Sequence, residues 1–129
     1  MKNSGPVASD LETDELYQQM PEANFSNWES VKSVQHITGP RAERLMAHIL
    51  ETKRMYWKII AKACKLPAAP KTLEPLMQYE LEQIAQMDTM TRATPLKYGS
   101  QRMTAASLIR LAARHSVWHA GQIALTKFE

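Results

Sequence analysis

The 129-residue sequence contains one cysteine, Cys64, and only four glycines. A single cysteine excludes an internal disulfide framework and is typical of the reducing cytosol. The few glycines and the scarcity of β-branched runs argue against an all-β fold. No apolar run approaches the roughly 20 residues that span a bilayer, and the N-terminus has no hydrophobic signal region. We therefore expect a cytoplasmic protein without a membrane segment.

A strong charge of one sign is also lacking, since the formal net charge is +3 at pH 7. Basic residues gather in the stretch KRMYWKIIAKACK, and they are Lys53, Arg54, Lys58, Lys62 and Lys65. They recur among apolar positions, which predicts the solvated face of a helix. The chain has no recognisable DNA-binding motif, so we expect no nucleic-acid partner.

Helix-forming residues dominate the chain from residue 40 onward. Hydrophobic residues make up 44% of the sequence, which is enough to bury a core. This composition predicts an all-α fold, an up-and-down four-helix bundle whose first helix is short or irregular. We expect residues 1–8 to form a flexible tail and residues 9–129 to form a single helical-bundle domain.

Two capping-box patterns mark helix starts in the first part of the chain. Ser9 with Glu12 is the first pattern, and the helix it opens is interrupted by Pro21. Ser26 with Glu29 is the second, and it opens a short helix that the Gly-Pro pair at 39–40 ends.

Three longer helices follow. They are predicted from Pro40 to about Lys65, from the cap residue Thr72 onward, and from Thr104 almost to Phe128. The stretch DTMTRATPLKYGSQR between the last two is rich in Thr, Pro and Gly, and it predicts a loop of about fifteen residues. A loop of this length often lines a functional site.

Three histidines fall on apolar stripes of the predicted helices. His115 and His119 are one turn apart in the middle of the last helix's stripe, and His48 lies on the buried side of the long helix. Buried imidazoles need partners, and a metal ion supplies them, because one ring nitrogen binds the ion while the other donates a hydrogen bond. Histidines that bond within the core are the alternative. His36, near a predicted helix end, is a reserve ligand only.

The stretch LIRLAARHSVWHAGQIALT resembles the last helix of the DinB/YfiT-like metalloenzyme superfamily, in which two histidines are followed by Gly and Gln. The stretch RLMAHILETKRMYWKII resembles the superfamily's other ligand helix, with the aromatic pair Tyr56-Trp57 two turns after the histidine. The resemblance covers roughly residues 40–127. Many members have a further histidine where this chain has Trp118, and their first helix is longer.

The resemblance implies a four-helix bundle in which His48, His115 and His119 bind a divalent metal ion, zinc or nickel. Members with known activity are mostly S-transferases and isomerases that use low-molecular-weight thiols. The resemblance therefore implies a metal-dependent thiol S-transferase or hydrolase with a small-molecule substrate. Gln122 is predicted either to orient a ligand or water or to be simply a polar residue at the end of the bundle. Glu80 is predicted to be either a carboxylate near the interior or, more often for this residue type, a solvated rim carboxylate.

A second hypothesis is a non-catalytic helical module with structural or vestigial histidines. The short N-terminal region and the absence of an obvious general base favour it. Either the first helix is short and irregular, or a second copy of the chain completes the bundle as a homodimer.

Overall fold

The structure is a computed structural model that describes residues 27–128. Most of these residues lie in helices. The predicted tail and the helix that Ser9 would open lie outside the described residues. The elements in chain order are α1 (27–34), α2 (Pro40–Cys64), α3 (Leu73–Gln86), α4 (Thr89–Arg92), β1 (Pro95–Tyr98), β2 (Gln101–Thr104) and α5 (Ala105–Thr126). The prediction of a mainly helical protein is confirmed.

The long helices begin and end close to the predicted residues. Pro40 is the first residue of α2, where its missing N–H costs no hydrogen bond. Lys65 ends α2 in a left-handed conformation with φ 59°, and its N–H donates to the carbonyl of Ala61. The hydroxyl of Thr104 accepts from the N–H of Ser107 at 3.2 Å and caps α5.

The predicted loop between α3 and α5 is wrong, because the structure forms α4 and a β-hairpin there. β1 and β2 pair antiparallel, with Leu96 opposite Met103 and Tyr98 opposite Gln101. Gly99 takes φ 63° in the two-residue turn, a conformation that favours glycine. The strands have four residues each and few β-branched side chains, so their pairing depends on packing of Leu96 into the core and has no periodic signal in the sequence.

Two apolar clusters form the core. One lies between α2, α3, α5 and the hairpin, and includes the predicted aromatic pair Tyr56 and Trp57. The other combines residues of four helices, which are Trp28, Val31, Val34, Ala42, Ile49, Met77, Ala120 and Ile123. Helices α2 and α5 pack along much of their length, so the two helices that carry the three histidines of interest hold each other in place.

Lys53 and Glu80 form an ion pair inside the core, and each is only 1% exposed. The prediction that Lys53 lies on the solvated face of α2 is therefore wrong. Its position four residues after the buried Ile49 and seven before the buried Ile60 puts it on the core face. The prediction of a solvated rim carboxylate at Glu80 is wrong as well.

The Glu80 carboxylate accepts hydrogen bonds from three side chains of the described residues. Lys53 Nζ lies 2.8 Å from both carboxylate oxygens, Asn27 Nδ2 lies 3.0 Å from Oε1, and the indole N–H of Trp57 donates to Oε2. Lys53 Nζ also lies 4.8 Å from the centroid of the Trp28 ring. These contacts offset much of the cost of removing two charges from water.

Every helix within residues 27–128 is either too short or too polar to span a bilayer. The up-and-down arrangement of four helices stays a prediction.

Replacement of Lys53 by Met should lower the free energy of unfolding by about 3–5 kcal/mol, because it leaves a buried carboxylate without its cation. Urea unfolding measures the change. The exposed pair between Lys32 and Glu29, at 3.3 Å, gives the matched control, and Lys32→Met should cost less than about 1 kcal/mol. A Lys53→Met loss as small as that of the control would contradict this account of the core.

Candidate metal centre

The structure brings together all three histidines of the predicted site. One ring nitrogen from each of His48, His115 and His119 lies within 4.8 Å of the other two. The ring centroids are 4.3 Å apart for His115 and His119, and 4.8 Å apart for His48 and His119. The cluster joins α2 to α5, as the sequence predicted.

Buried neighbours on the two helices position the rings. Ile49 follows His48 and is fully buried, while Ser116 and Ala120 follow the two histidines of α5 and are buried too. The rings lie at the edge of this core, and none of them is buried. The prediction that the imidazoles point into the bundle is thus only partly met, because the three side chains are partly exposed to solvent.

Hydrogen bonds assign the tautomers of the two histidines of α5. His119 Nδ1 lies 2.6 Å from the carbonyl oxygen of Gln122, so Nδ1 carries the proton and donates it. Thr52 Oγ1 lies 3.3 Å from His115 Nδ1 and already donates its own hydrogen to a backbone carbonyl of α2, with His48 O at 2.9 Å. The Thr52 oxygen therefore accepts from His115 Nδ1–H.

These assignments leave the Nε2 atoms of His115 and His119 with free lone pairs, and the two atoms are 3.1 Å apart. Two lone pairs at this distance repel unless a cation binds both. A tetrahedral zinc ion with bonds of about 2.0–2.1 Å holds two ligand nitrogens roughly 3.4 Å apart. The separation, the neutral imidazole donors and the hydrogen bonds at Nδ1 all fit a divalent metal ion.

The protonation of His115 also favours metal binding. Partial burial is the largest cause that lowers its pKa. The positive charges that His119, His48 and Lys53 can carry lower the pKa further. The ring is therefore held in the neutral form that coordinates metals.

The aromatic ring of Tyr56 contacts both His115 and Tyr98. The ring centroid of Tyr56 is 6.1 Å from that of His115 and 5.4 Å from that of Tyr98. Burial, and then the hydrogen bond with Tyr98, raise the pKa of Tyr56 to about 12. The Tyr56 hydroxyl therefore stays protonated. The hairpin brings the ring of Tyr98 against that of Tyr56.

Sequence reasoning missed Thr52 and Tyr98 as members of the site. Thr52 follows His48 by one helical turn, so the helical period would have placed it on the same face. Tyr98 was assigned to a loop, and no sequence signal links it to Tyr56. Gln122, which the sequence did single out, contacts His119 as an orienting residue would.

Other candidates lie away from the cluster. His36 is exposed just after α1 and is not part of it. Trp118, at the place of a further histidine in the DinB/YfiT-like pattern, is 71% exposed. Cys64 is half-buried, and burial raises the pKa of its thiol, which disfavours a nucleophilic role.

Comparison with known proteins gives no family for this chain: no family model matches it, and neither the curated proteins nor the solved structures include a match.

The proton of His119 should sit on Nδ1 in chelator-treated protein when the ring is neutral, because Gln122 accepts it. In Gln122→Leu this acceptor is lost, and the proton should shift toward Nε2, where His115 Nε2 can accept it. Two-bond ¹H–¹⁵N NMR correlations of the ring distinguish the tautomers. The exposed His36 is the internal control and should not change. An Nε2 proton on His119 in the wild type would overturn the assignment.

Proposed function

We propose that the chain binds one divalent transition-metal ion through His48, His115 and His119, and that it is a metal-dependent thiol S-transferase of the DinB/YfiT-like type. One observation carries the metal site, namely the two Nε2 lone pairs at 3.1 Å whose ring N–H groups are engaged elsewhere. The third imidazole, from α2, lies within reach of the same point. Zinc and nickel both suit such a nitrogen donor set.

Three protein ligands are typical of catalytic zinc sites, because they leave a coordination position for water or substrate. The partial exposure of the three rings makes such a position reachable from solvent. A divalent ion in this setting supplies Lewis acidity and lowers the pKa of a bound water or thiol. A structural site would be expected to be closed by a fourth protein ligand, and the described residues place none in the cluster.

The residues around the cluster favour thiol transfer over hydrolysis. Hydrolysis is usually assisted by a carboxylate or histidine base, but the carboxylate of Glu80 is buried and fully occupied by Lys53, Asn27 and Trp57. The ring of Tyr56 lies beside His115 and Tyr98, and its hydroxyl, which stays protonated, can donate to a substrate oxygen or leaving group. A thiol needs only to lose its proton to become the nucleophile.

In the proposed reaction the sulfur of a small thiol forms a bond to an electrophilic carbon. The leaving group departs with its bonding electrons, and the thiol proton passes to solvent. The resemblance to the DinB/YfiT-like superfamily, in which such transferases occur, supports this reaction class. It also supports an up-and-down bundle of α1, α2, α3 and α5, and these four helices share one apolar cluster.

Wild-type protein purified without chelator should carry about one divalent ion per chain. His48→Ala, His115→Ala and His119→Ala should each lose it, and His36→Ala should keep it. Gln122→Leu should weaken zinc binding by about 10–100-fold, because an outer partner of a ligand is removed. Elemental analysis and competition with a chromogenic chelator measure both effects. An empty wild type under several metal supplies would reject the site.

Metal-loaded protein should accelerate the loss of a small thiol in the presence of an electrophile such as an epoxide or a haloarene. Chelation, or His115→Ala, should return the rate to that of the solution reaction. Thiol titration and mass analysis of the conjugate follow the transfer. Ester hydrolysis at an equal rate without thiol would favour a hydrolase, and a metal-loaded protein inactive in both assays would favour the non-catalytic module.

A further inference from the structure

A groove of about 720 Å³ runs along the side of α2 that faces away from the core, between this helix and the segment 66–71. Its floor is apolar and includes Met55, Ala61 and Leu66. Met55 is among the exposed large hydrophobic side chains of the described residues. An apolar floor of this kind is a surface that a partner segment can cover.

Four cations line the groove, and these are Arg54, Lys58, Lys62 and Lys71. All four side chains are exposed, and none forms an ion pair with another part of residues 27–128. Glu51 is the one carboxylate among the lining residues. The groove therefore has an excess of positive charge next to an apolar floor, which selects an acidic amphipathic occupant.

The chain itself contains a segment with this chemistry. Residues 9–22, here called the acidic segment, have five carboxylates and no lysine or arginine, and the carboxylates are Asp10, Glu12, Asp14, Glu15 and Glu22. Apolar side chains alternate with them, namely Leu11, Leu16, Tyr17 and Met20. Residues 27–128 contain fifteen of the sixteen basic residues of the chain, so the two signs of charge are segregated along the sequence.

The course of α1 brings Asn27, the first described residue, to the middle of α2. Val34, at the end of α1, packs in the same cluster as Ala42, at the start of α2, whereas Trp28 lies against Lys53 in the middle of α2. Helix α1 therefore runs antiparallel to the first half of α2. Asn27 thus lies beside the middle of α2 on its core face, so a segment that precedes it has to cross the width of α2 to reach the groove on the opposite face.

Residues 9–26 are long enough to extend from Asn27 along the groove. Lys53 and Lys62 are nine residues apart on α2, which is roughly 14 Å of helix. The 18 residues from 9 to 26 span about 27 Å even when fully helical, and more when extended. Residues 9–22 are therefore long enough to follow the groove, and the linker from Glu22 to Asn27, about 17 Å when extended, is long enough to pass around α2, which is about 10–12 Å across.

We propose that the acidic segment docks into this groove of its own chain, with its carboxylates on the basic rim and its apolar side chains on Met55 and Leu66. Glu51 and Met55 lie one turn from His48 and Thr52 on α2. A docked segment consequently borders the mouth of the histidine cluster. Because exposed charges hold it, docking weakens as salt screens them.

Hydrogen–deuterium exchange on the full chain tests the docking without any need for metal or activity. Amides of residues 9–22 should exchange at least tenfold more slowly at low salt than at 0.5 M salt. The triple variant Arg54→Glu, Lys58→Glu, Lys62→Glu should lose this protection. The matched control Arg44→Glu, Lys97→Glu, Arg102→Glu reverses three exposed cations outside the groove and should keep it. Absence of protection in the wild type, or equal loss in both variants, would overturn the proposal.

A charge swap separates docking from general destabilisation. Changing Asp10, Glu12, Asp14 and Glu15 to Lys in the groove variant should restore the protection, and core amides of α2 and α5 should stay protected in every variant.

Carbodiimide coupling should join acidic-segment carboxylates to Lys58, Lys62 or Lys71 within one chain. A mixture of ¹⁵N-labelled and unlabelled protein distinguishes this from coupling between chains. Predominantly inter-chain products would refute docking in cis.

Discussion

The ion pair between Lys53 and Glu80 ties three helices together in the core. Lys53 belongs to α2 and Glu80 to α3, and Asn27 of α1 donates to the same carboxylate. Burial lowers the pKa of Lys53 as the largest influence, and the neighbouring carboxylate opposes this by favouring the charged amine. Each charge is tolerable only while its partners stay in place, so the pair fixes how α1, α2 and α3 meet.

This constraint reaches the histidine cluster through α2. Lys53 and Trp57 hold one side of α2 in the core. This fixes the orientation of the helix about its axis, so that the adjacent side carries His48, Thr52 and Tyr56. The opposite side, with Arg54, Lys58 and Lys62, is left to solvent and forms the basic groove. One helix thus serves the core, the site and a charged surface, each with residues at helical spacing.

Polar groups in and near the core differ in whether protein hydrogen-bond partners satisfy them completely. The Glu80 carboxylate is satisfied by protein donors and is therefore removed from chemistry. The Nδ1 atoms of His115 and His119 have protein partners, but their Nε2 atoms face each other. The charge cluster around Glu80 is therefore buried and structural, whereas the histidine cluster presents nitrogen donors with free lone pairs at the solvent-exposed edge of the core.

The sequence alone determined the helical class, most helix boundaries and the identity of the clustered histidines, because these depend on local propensity and on the 3.6-residue period. The same period, applied to Lys53, would have placed it in the core, but its charge argued for solvent, and only Glu80 from another helix makes burial tolerable. The hairpin, the approach of Tyr98 to Tyr56 and the open edge of the histidine site arise from contacts between residues far apart in the chain. Such contacts have no local signature, since their free energy exists only when the helices have packed, and the tertiary structure alone decided them.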